Sequence, residues 1–359
     1  MIYFVDVLLI LITFYVIYSL SDKYNFLKLK FIISYTSIVA IFTGLFIATF
    51  DLTFPMNMDF TYLIGNDTTQ SLTFYIYLIT SVIICLTVNK NNSYWWFDAE
   101  IILIFLSTAA AASWLICTQE VITFYTILEL QSILTYILIS KYKSRRSLEA
   151  TIKYFILSSS SSFFILLGFS FIYYVTGSTT FEDWIVFLSI HEKETDLMIY
   201  TLSLGFIFIA SGLFFKIYAV PFHFWTVDIY GSLPYNILIY MVSIPNVVFY
   251  FLFYKFHEIF MCTPYELSMG KIIYVIIIAS GFIGTIGALY QQNLKKIIAF
   301  SSVANVSYLL CIIHISTPMV MRQELFNYLF FYNITNIGIL MLSAYISDLH
   351  QKSVSNLPT

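Results

Sequence analysis

Lys216 stands in an otherwise apolar stretch, Gly212-Leu-Phe-Phe-Lys216-Ile-Tyr-Ala-Val-Pro221-Phe-His-Phe-Trp225, with a proline five residues behind it. An ammonium at membrane depth costs about 2.5–3.5 kcal/mol on insertion scales, so a chain that keeps one there supplies a partner, water or an ion path. Pro221 lacks a backbone donor and clashes with the preceding turn, so the helix is expected to break beside the lysine. Charge beside a broken helix is what a transport site needs. Desolvation disfavours the charged amine and a nearby carboxylate favours it, so a lysine moved between two such settings can accept and release protons.

Other charged groups sit in similar surroundings, each with a blander alternative. Glu129, in Ile127-Leu-Glu129-Leu-Gln131-Ser132, lies in mid-span, where a carboxylate is either neutral or paired with a cation. A lysine on a neighbouring helix would make it a two-state charge switch; the alternative is a static buried salt bridge. Lys153 shares a helix face with Glu149 at i,i+4 and lies close to a basic loop, so it can also snorkel to the headgroups. His223 and Asp228 follow the break. A histidine there can relay protons, or simply pack among aromatic rings. The serine run from Ser158 to Ser162 reads as small residues that allow close helix approach. Lys295 and Lys296 mark a helix boundary and stay outside the site.

These residues must be positioned by membrane helices. With 359 residues, 60% hydrophobic and 10% charged, the chain has too few polar side chains to coat a soluble globule. The fold class is an all-α polytopic membrane protein. Apolar runs long enough to span fall near 2–20, 31–50, 72–88, 101–117, 119–140, 150–175, 197–217, 235–256, 271–290, 294–315 and 324–347, about eleven transmembrane helices. The first run has no basic n-region and is read as a retained helix. Taking the helices in order, most lysines and arginines fall on one side, including Lys23, Lys90, Lys141, Arg145, Arg146 and Lys295, and few on the other, including Lys193, Lys255 and Lys271. The positive-inside rule then puts the N-terminus outside and the C-terminus on the cytoplasmic or matrix side.

The connections are short. Asp51 to Gln70 reads as an external loop, and Glu182 to Asp196 as either a short interfacial amphipathic helix or an acidic loop. No soluble domain fits between the helices. Cys85, Cys117, Cys262 and Cys311 show no C-x-x-C spacing, which gives no support for iron–sulfur, zinc or disulfide chemistry. No nucleotide, metal or nucleophile motif is present. Abundant Phe (36) and Tyr (29) against scarce Gly (12) and Pro (7) fit an AT-rich organellar genome.

The stretches Leu128–Ser132, Ser147–Ser158, Gly212–Tyr230 and Gly287–Tyr308 resemble, in order, subunit 2 of NADH:ubiquinone oxidoreductase, respiratory complex I. The likeness covers most of 100–350 and is most specific around Lys216 to Tyr230. It implies an antiporter-like, proton-translocating subunit of the membrane arm, with a broken helix 7 and with redox chemistry and cofactors elsewhere in the complex. Glu129, Lys153 and Lys216 match the family's glutamate of helix 5 and lysines of helices 6 and 7; Glu129 and Lys153 are expected to pair and open as a gate, with Lys216 as the proton carrier. His223 is a second-rank candidate. The implied location is the mitochondrial inner membrane, with the N-terminus on the intermembrane-space side and the C-terminus in the matrix. Expected partners are other membrane-arm subunits and the lipid bilayer, with no nucleic acid.

Two departures qualify this expectation. The family's lysine of helix 8 falls on Asn246, which can hydrogen-bond water but cannot carry the proton, and Asn305 stands where the family often has histidine. Residues 1–359 also read as a single antiporter-like domain lacking the family's last three helices, which a separately encoded small membrane protein is expected to supply. Two other functions therefore compete: a scaffold subunit of the same arm that does not pump, and a free-standing cation/proton antiporter.

Overall fold

The computed structural model describes residues 67–88, 95–141, 144–190, 196–261, 266–315 and 318–355. The expected spans at 2–20 and 31–50 lie outside these residues, as do Cys262 and most of the loop after Asp51. Among the described residues eleven helices follow one another: α1 Asp67–Val88, α2 Trp95–Cys117, α3 Val121–Ser140, α4 Arg145–Thr176, α5 Phe181–Ile190, α6 Asp196–Lys216, α7 Phe224–Ser232, α8 Tyr235–Met261, α9 Glu266–Leu289, α10 Leu294–Ile315 and α11 Pro318–Ser355. No strand occurs among them, and Glu120 and Thr180 form an isolated bridge. Six of the helices are long and apolar enough to cross a membrane.

Each expected span from 72–88 onward has its helix, and the differences lie at the ends. Asp67 to Gln70, read as loop, are the first turn of α1, and the polar residues from 348 to 355 continue α11. Polar residues at a helix end cost nothing once the end leaves the apolar layer, so hydropathy marks the span and not the helix. The region after Glu182 resolves in favour of a helix. Phe181, Trp184 and Leu188 of α5 are buried while Glu182 and Asp183 are exposed, which is one apolar stripe at helical spacing.

Local sequence sets the ends of α4. Ser144 and Ser147 cap its start reciprocally, each side chain accepting from the other's backbone N–H at 3.0 Å. Gly177 ends it in the left-handed region, with φ of 68° and its N–H on the Tyr173 carbonyl. Beyond it, Phe181 donates to the Gln119 carbonyl and Val121 to that of Thr179, which ties α5 to the start of α3. Lys255 of α8 donates to the Thr118 carbonyl at the same junction, with its ammonium 4.7 Å from the Phe181 ring centroid.

α8 is the axis of the bundle. Every residue of its apolar window is buried, and α1, α2, α6, α10 and α11 pack around it. Pro245 lies inside it and deprives the Met241 carbonyl of its helical donor. Tyr230 of α7 supplies a hydroxyl to that carbonyl at 3.4 Å. By contrast α3, α4, α9 and α11 turn Ile133, Phe155, Val275, Phe282 and Phe331 outward, an apolar surface suited to lipid or to neighbouring membrane helices.

Candidate functional site

The helix carrying Lys216 ends at that residue. Tyr218 donates to the Phe215 carbonyl and Ala219 to that of Phe214, a Schellman closure with Tyr218 in the left-handed region at φ 49°. A non-glycine residue there costs on the order of 1–3 kcal/mol, which the surrounding packing must offset. The break therefore comes before Pro221, which occupies the following turn behind a cis peptide from Val220; Phe222 donates to the Ala219 carbonyl across that turn. Trp225, at the start of α7, donates its indole N–H to the same Phe215 carbonyl at 3.2 Å, a second donor on that oxygen that ties α7 to the end of α6. Its ring stacks on Phe215 and lies against Tyr154.

Lys216 is 5% exposed, too deep to snorkel. Its ammonium donates to Ser158 Oγ of α4 at 3.1 Å and lies 5.6 Å from the Phe249 ring centroid of α8. Glu129 of α3 acts on it electrostatically. That carboxylate also accepts from Ser132 Oγ at 3.3 Å. The Tyr136 hydroxyl lies beside Ser158 and Ser132 without a hydrogen bond of its own. Three helices thus bring together a buried ammonium, a half-buried carboxylate and hydroxyl groups between them. Such a cluster can hold a proton on the amine and hand it on when the separation of charges changes.

The other expected residues fall in two settings. Lys153 is 45% exposed and pairs with Glu149 at 2.9 Å and with Asp228 at 3.5 Å. Among the described residues it makes no ion pair with Glu129, so Glu129 acts on Lys216 and Lys153 on acids of its own helix and of α7. His223 is buried at the start of α7, its ring tilted against that of Phe224, with Nδ1 unpartnered. Asn246 is 2% exposed, and its amide donates to the Val242 carbonyl at 2.6 Å one turn back in α8.

Sequence reasoning gave Ser158 a purely structural part, yet it is the hydrogen-bond partner of Lys216. Its neighbours Ser159 to Ser162 bond only to carbonyls within their own helix. Asp228 was noted only for following the break, and it carries the cross-helix pair with Lys153. No local signal separates Ser158 from the rest of the run; the phase of α4 against α6 selects it. Lys295, kept outside the site, reaches back to the Leu233 carbonyl at 2.6 Å and holds the end of α7. No group of three or more His, Cys, Asp or Glu that could hold a metal occurs among the described residues.

Comparison with known proteins shows the family. A family model described as NADH:quinone oxidoreductase/Mrp antiporter, TM matches residues 118–357. NADH-ubiquinone oxidoreductase chain 2 of Rhizopus oryzae is 30% identical over 76% of this chain and 54% of its own length. The chain 2 protein of Marchantia polymorpha is 30% identical over 86% and 63%, respectively. NADH-quinone oxidoreductase subunit N of a Wolbachia from Brugia malayi is 35% identical over 68% and 51%. The chain thus spans about half to under two thirds of the length of these relatives. In fold it is similar to a chain of respiratory complex I from Thermus thermophilus, with a TM-score of 0.72 at 20% identity, covering 93% of this chain and 69% of that one. A chain of an archaeal membrane-bound sulfane sulfur reductase gives 0.75 at 18%, covering 94% and 69%.

Proposed function

Because the chain belongs to the NADH:quinone oxidoreductase/Mrp antiporter transmembrane family, we propose that it is a proton-translocating membrane-arm subunit of NADH:ubiquinone oxidoreductase. The observation that carries this reading is the buried Lys216 ammonium beside a helix break, hydrogen-bonded to Ser158 and under the field of Glu129. Lys216 is the proton carrier. Glu129 modulates its charge, and Lys153 exchanges partners between Glu149 and Asp228 at the cytoplasmic or matrix end. His223 has a secondary part near the break. Quinone reduction and the redox cofactors belong to other subunits.

The proposed location is the mitochondrial inner membrane, with the N-terminus facing the intermembrane space and the C-terminus the matrix. Neighbouring membrane-arm subunits cover the outward faces. The helices that longer relatives carry beyond the matched region are proposed to pack against α9 to α11, supplied by a separately encoded small protein. The apolar outward faces of α9 and α11 are suited to such neighbours.

Replacing Lys216 by methionine in an assembled complex tests the central claim. Loss of protons moved per NADH, with NADH oxidation retained, is the expected result. Unchanged pumping refutes it. A second reading, a scaffold subunit, draws on Asn246, whose amide is committed to a backbone carbonyl at the central step. Continuous ordered water from Lys216 past α8 counts against the scaffold, and a dry gap counts for it. Co-purification with quinone-reductase subunits separates both from a free-standing antiporter.

A further inference from the structure

A cavity of about 300 Å³ lies between α6, α8 and α9. Phe206 and Phe214 of α6, Phe253 of α8 and Ile276 of α9 line it, together with Pro221 and Phe222 from the turn after the helix break. From Phe206 to Phe214 the wall runs about 12 Å along α6, at 1.5 Å per residue. Its one hydroxyl, on Ser211, is committed to the Phe208 carbonyl at 2.8 Å. His257 brings the other polar side chain, and its Nε2 lies 3.4 Å from His314 Nδ1. A buried water needs about two to four polar partners, more than these walls offer, so the cavity suits an apolar occupant.

The mouth faces the lipid side. Ile207 and Ile272, 41% and 43% exposed, belong both to the wall and to the outward apolar surface. At the end of the membrane where α8 stops and α9 begins, Lys271 directly precedes Ile272 and Ile273 of the wall. It is exposed and makes no ion pair with another described side chain. A narrow apolar slot with a cation at its surface end restricts the occupant. An α-helix, about 10–12 Å across, is too wide for it. An uncharged isoprenoid or diglyceride would leave Lys271 without a counter-charge.

We propose that an anionic membrane phospholipid seats one acyl chain in this cavity and sets its phosphate against Lys271. Burial of the methylenes holds the chain, and the ammonium selects the headgroup. The chain packs against Pro221 and Phe222, so a bound lipid supports the turn on which the end of α6 closes. The site requires only that the chain be embedded in a bilayer, and it is independent of whether Lys216 carries protons.

The test uses the purified respiratory complex in phosphatidylcholine vesicles. These contain a phosphatidylglycerol with a diazirine in one acyl chain, and the labelled peptides are identified by mass spectrometry after irradiation. Labelling is expected in residues 206–222 and 253–276, and none there overturns the site. Ala210→Phe, which places a ring in the cavity, is expected to abolish it, and Val275→Phe, on the outward face of α9 and 66% exposed, to leave it unchanged. Equal labelling of Ala210→Phe and the parent means contact with surface lipid only and overturns the seat. Lys271→Gln alters an exposed side chain, so it tests the headgroup even if Ala210→Phe does not assemble. It is expected to lower labelling about fivefold, the worth of one lysine beside anionic lipid. Undiminished labelling of Lys271→Gln, or equal labelling of the parent by a zwitterionic phosphatidylcholine probe, overturns the headgroup contact.

Discussion

Gly212 of α6 faces the Ser161 carbonyl of α4 so closely that a Cβ at Gly212 would sit 2.6 Å from that oxygen and 2.5 Å from Ile165 Cγ1. Gly168 and Gly205 meet in the same way further along the pair, where a Cβ on Gly168 would stand 2.5 Å from the Gly205 carbonyl oxygen. This contact sets the distance between α4 and α6 one turn from the Lys216 to Ser158 hydrogen bond. Helix spacing and site geometry are therefore one quantity.

Gly212→Ala is expected to push the two helices apart, because the obstacle is partly backbone and cannot swing away. Overpacking of this kind costs about 1–3 kcal/mol, and it lengthens the Lys216 to Ser158 contact. The thermal midpoint of the complex and protons per NADH should both fall. Gly338→Ala, in α11 with open space around the new Cβ, is the control. It should raise stability by about 0.5–1 kcal/mol through helix propensity alone, and a fall as large as that of Gly212→Ala would show that the close approach is not the cause.

Ser158→Ala removes the side-chain acceptor of the Lys216 ammonium. Hydrogen bonds to charged groups contribute about 1.5–3 kcal/mol, and the loss falls on the charged form of the lysine. The expected outcome is a complex that assembles and oxidises NADH but moves fewer protons, with Ser158→Thr retaining most of the parent activity because its hydroxyl is preserved. Equal pumping in Ser158→Ala and the parent would remove Ser158 from the site.

How far the sequence went follows from what a single helix can reveal. A lysine in an apolar run ahead of a proline announced both the buried charge and the break, since both follow from local chemistry. Pro221 was a correct signal with a displaced effect: the helix closes at Tyr218, held by packing that no local pattern encodes. Which serine of five meets Lys216, and whether Glu129 faces Lys216 or Lys153, depend on the phase of one helix against another. That phase is fixed by small residues such as Gly212 and Gly168, whose partners lie dozens of residues away.

Lys153 and Asp228 form an exposed pair, so their mutual attraction is screened. Asp228→Asn is expected to change stability by less than about 1 kcal/mol, and Glu149→Gln likewise, because each leaves Lys153 its other partner. The double variant leaves the lysine with neither. A double-mutant cycle on the thermal midpoint measures their coupling, and a coupling well above 1 kcal/mol would mean that neighbouring subunits bury this pair in the assembled complex.

Asn246→Ala separates a carrier from a clamp. The Asn246 amide donates to the Val242 carbonyl at 2.6 Å in a helix interrupted by Pro245, so its removal costs a buried hydrogen bond and leaves a small cavity, about 1–3 kcal/mol together. An amide is not a proton carrier at physiological pH, and this one is committed to a backbone carbonyl. Protons per NADH are therefore expected to match the parent while the thermal midpoint falls. Pumping reduced to the level of Lys216→Met, in a complex of undiminished stability, would put Asn246 on the path itself.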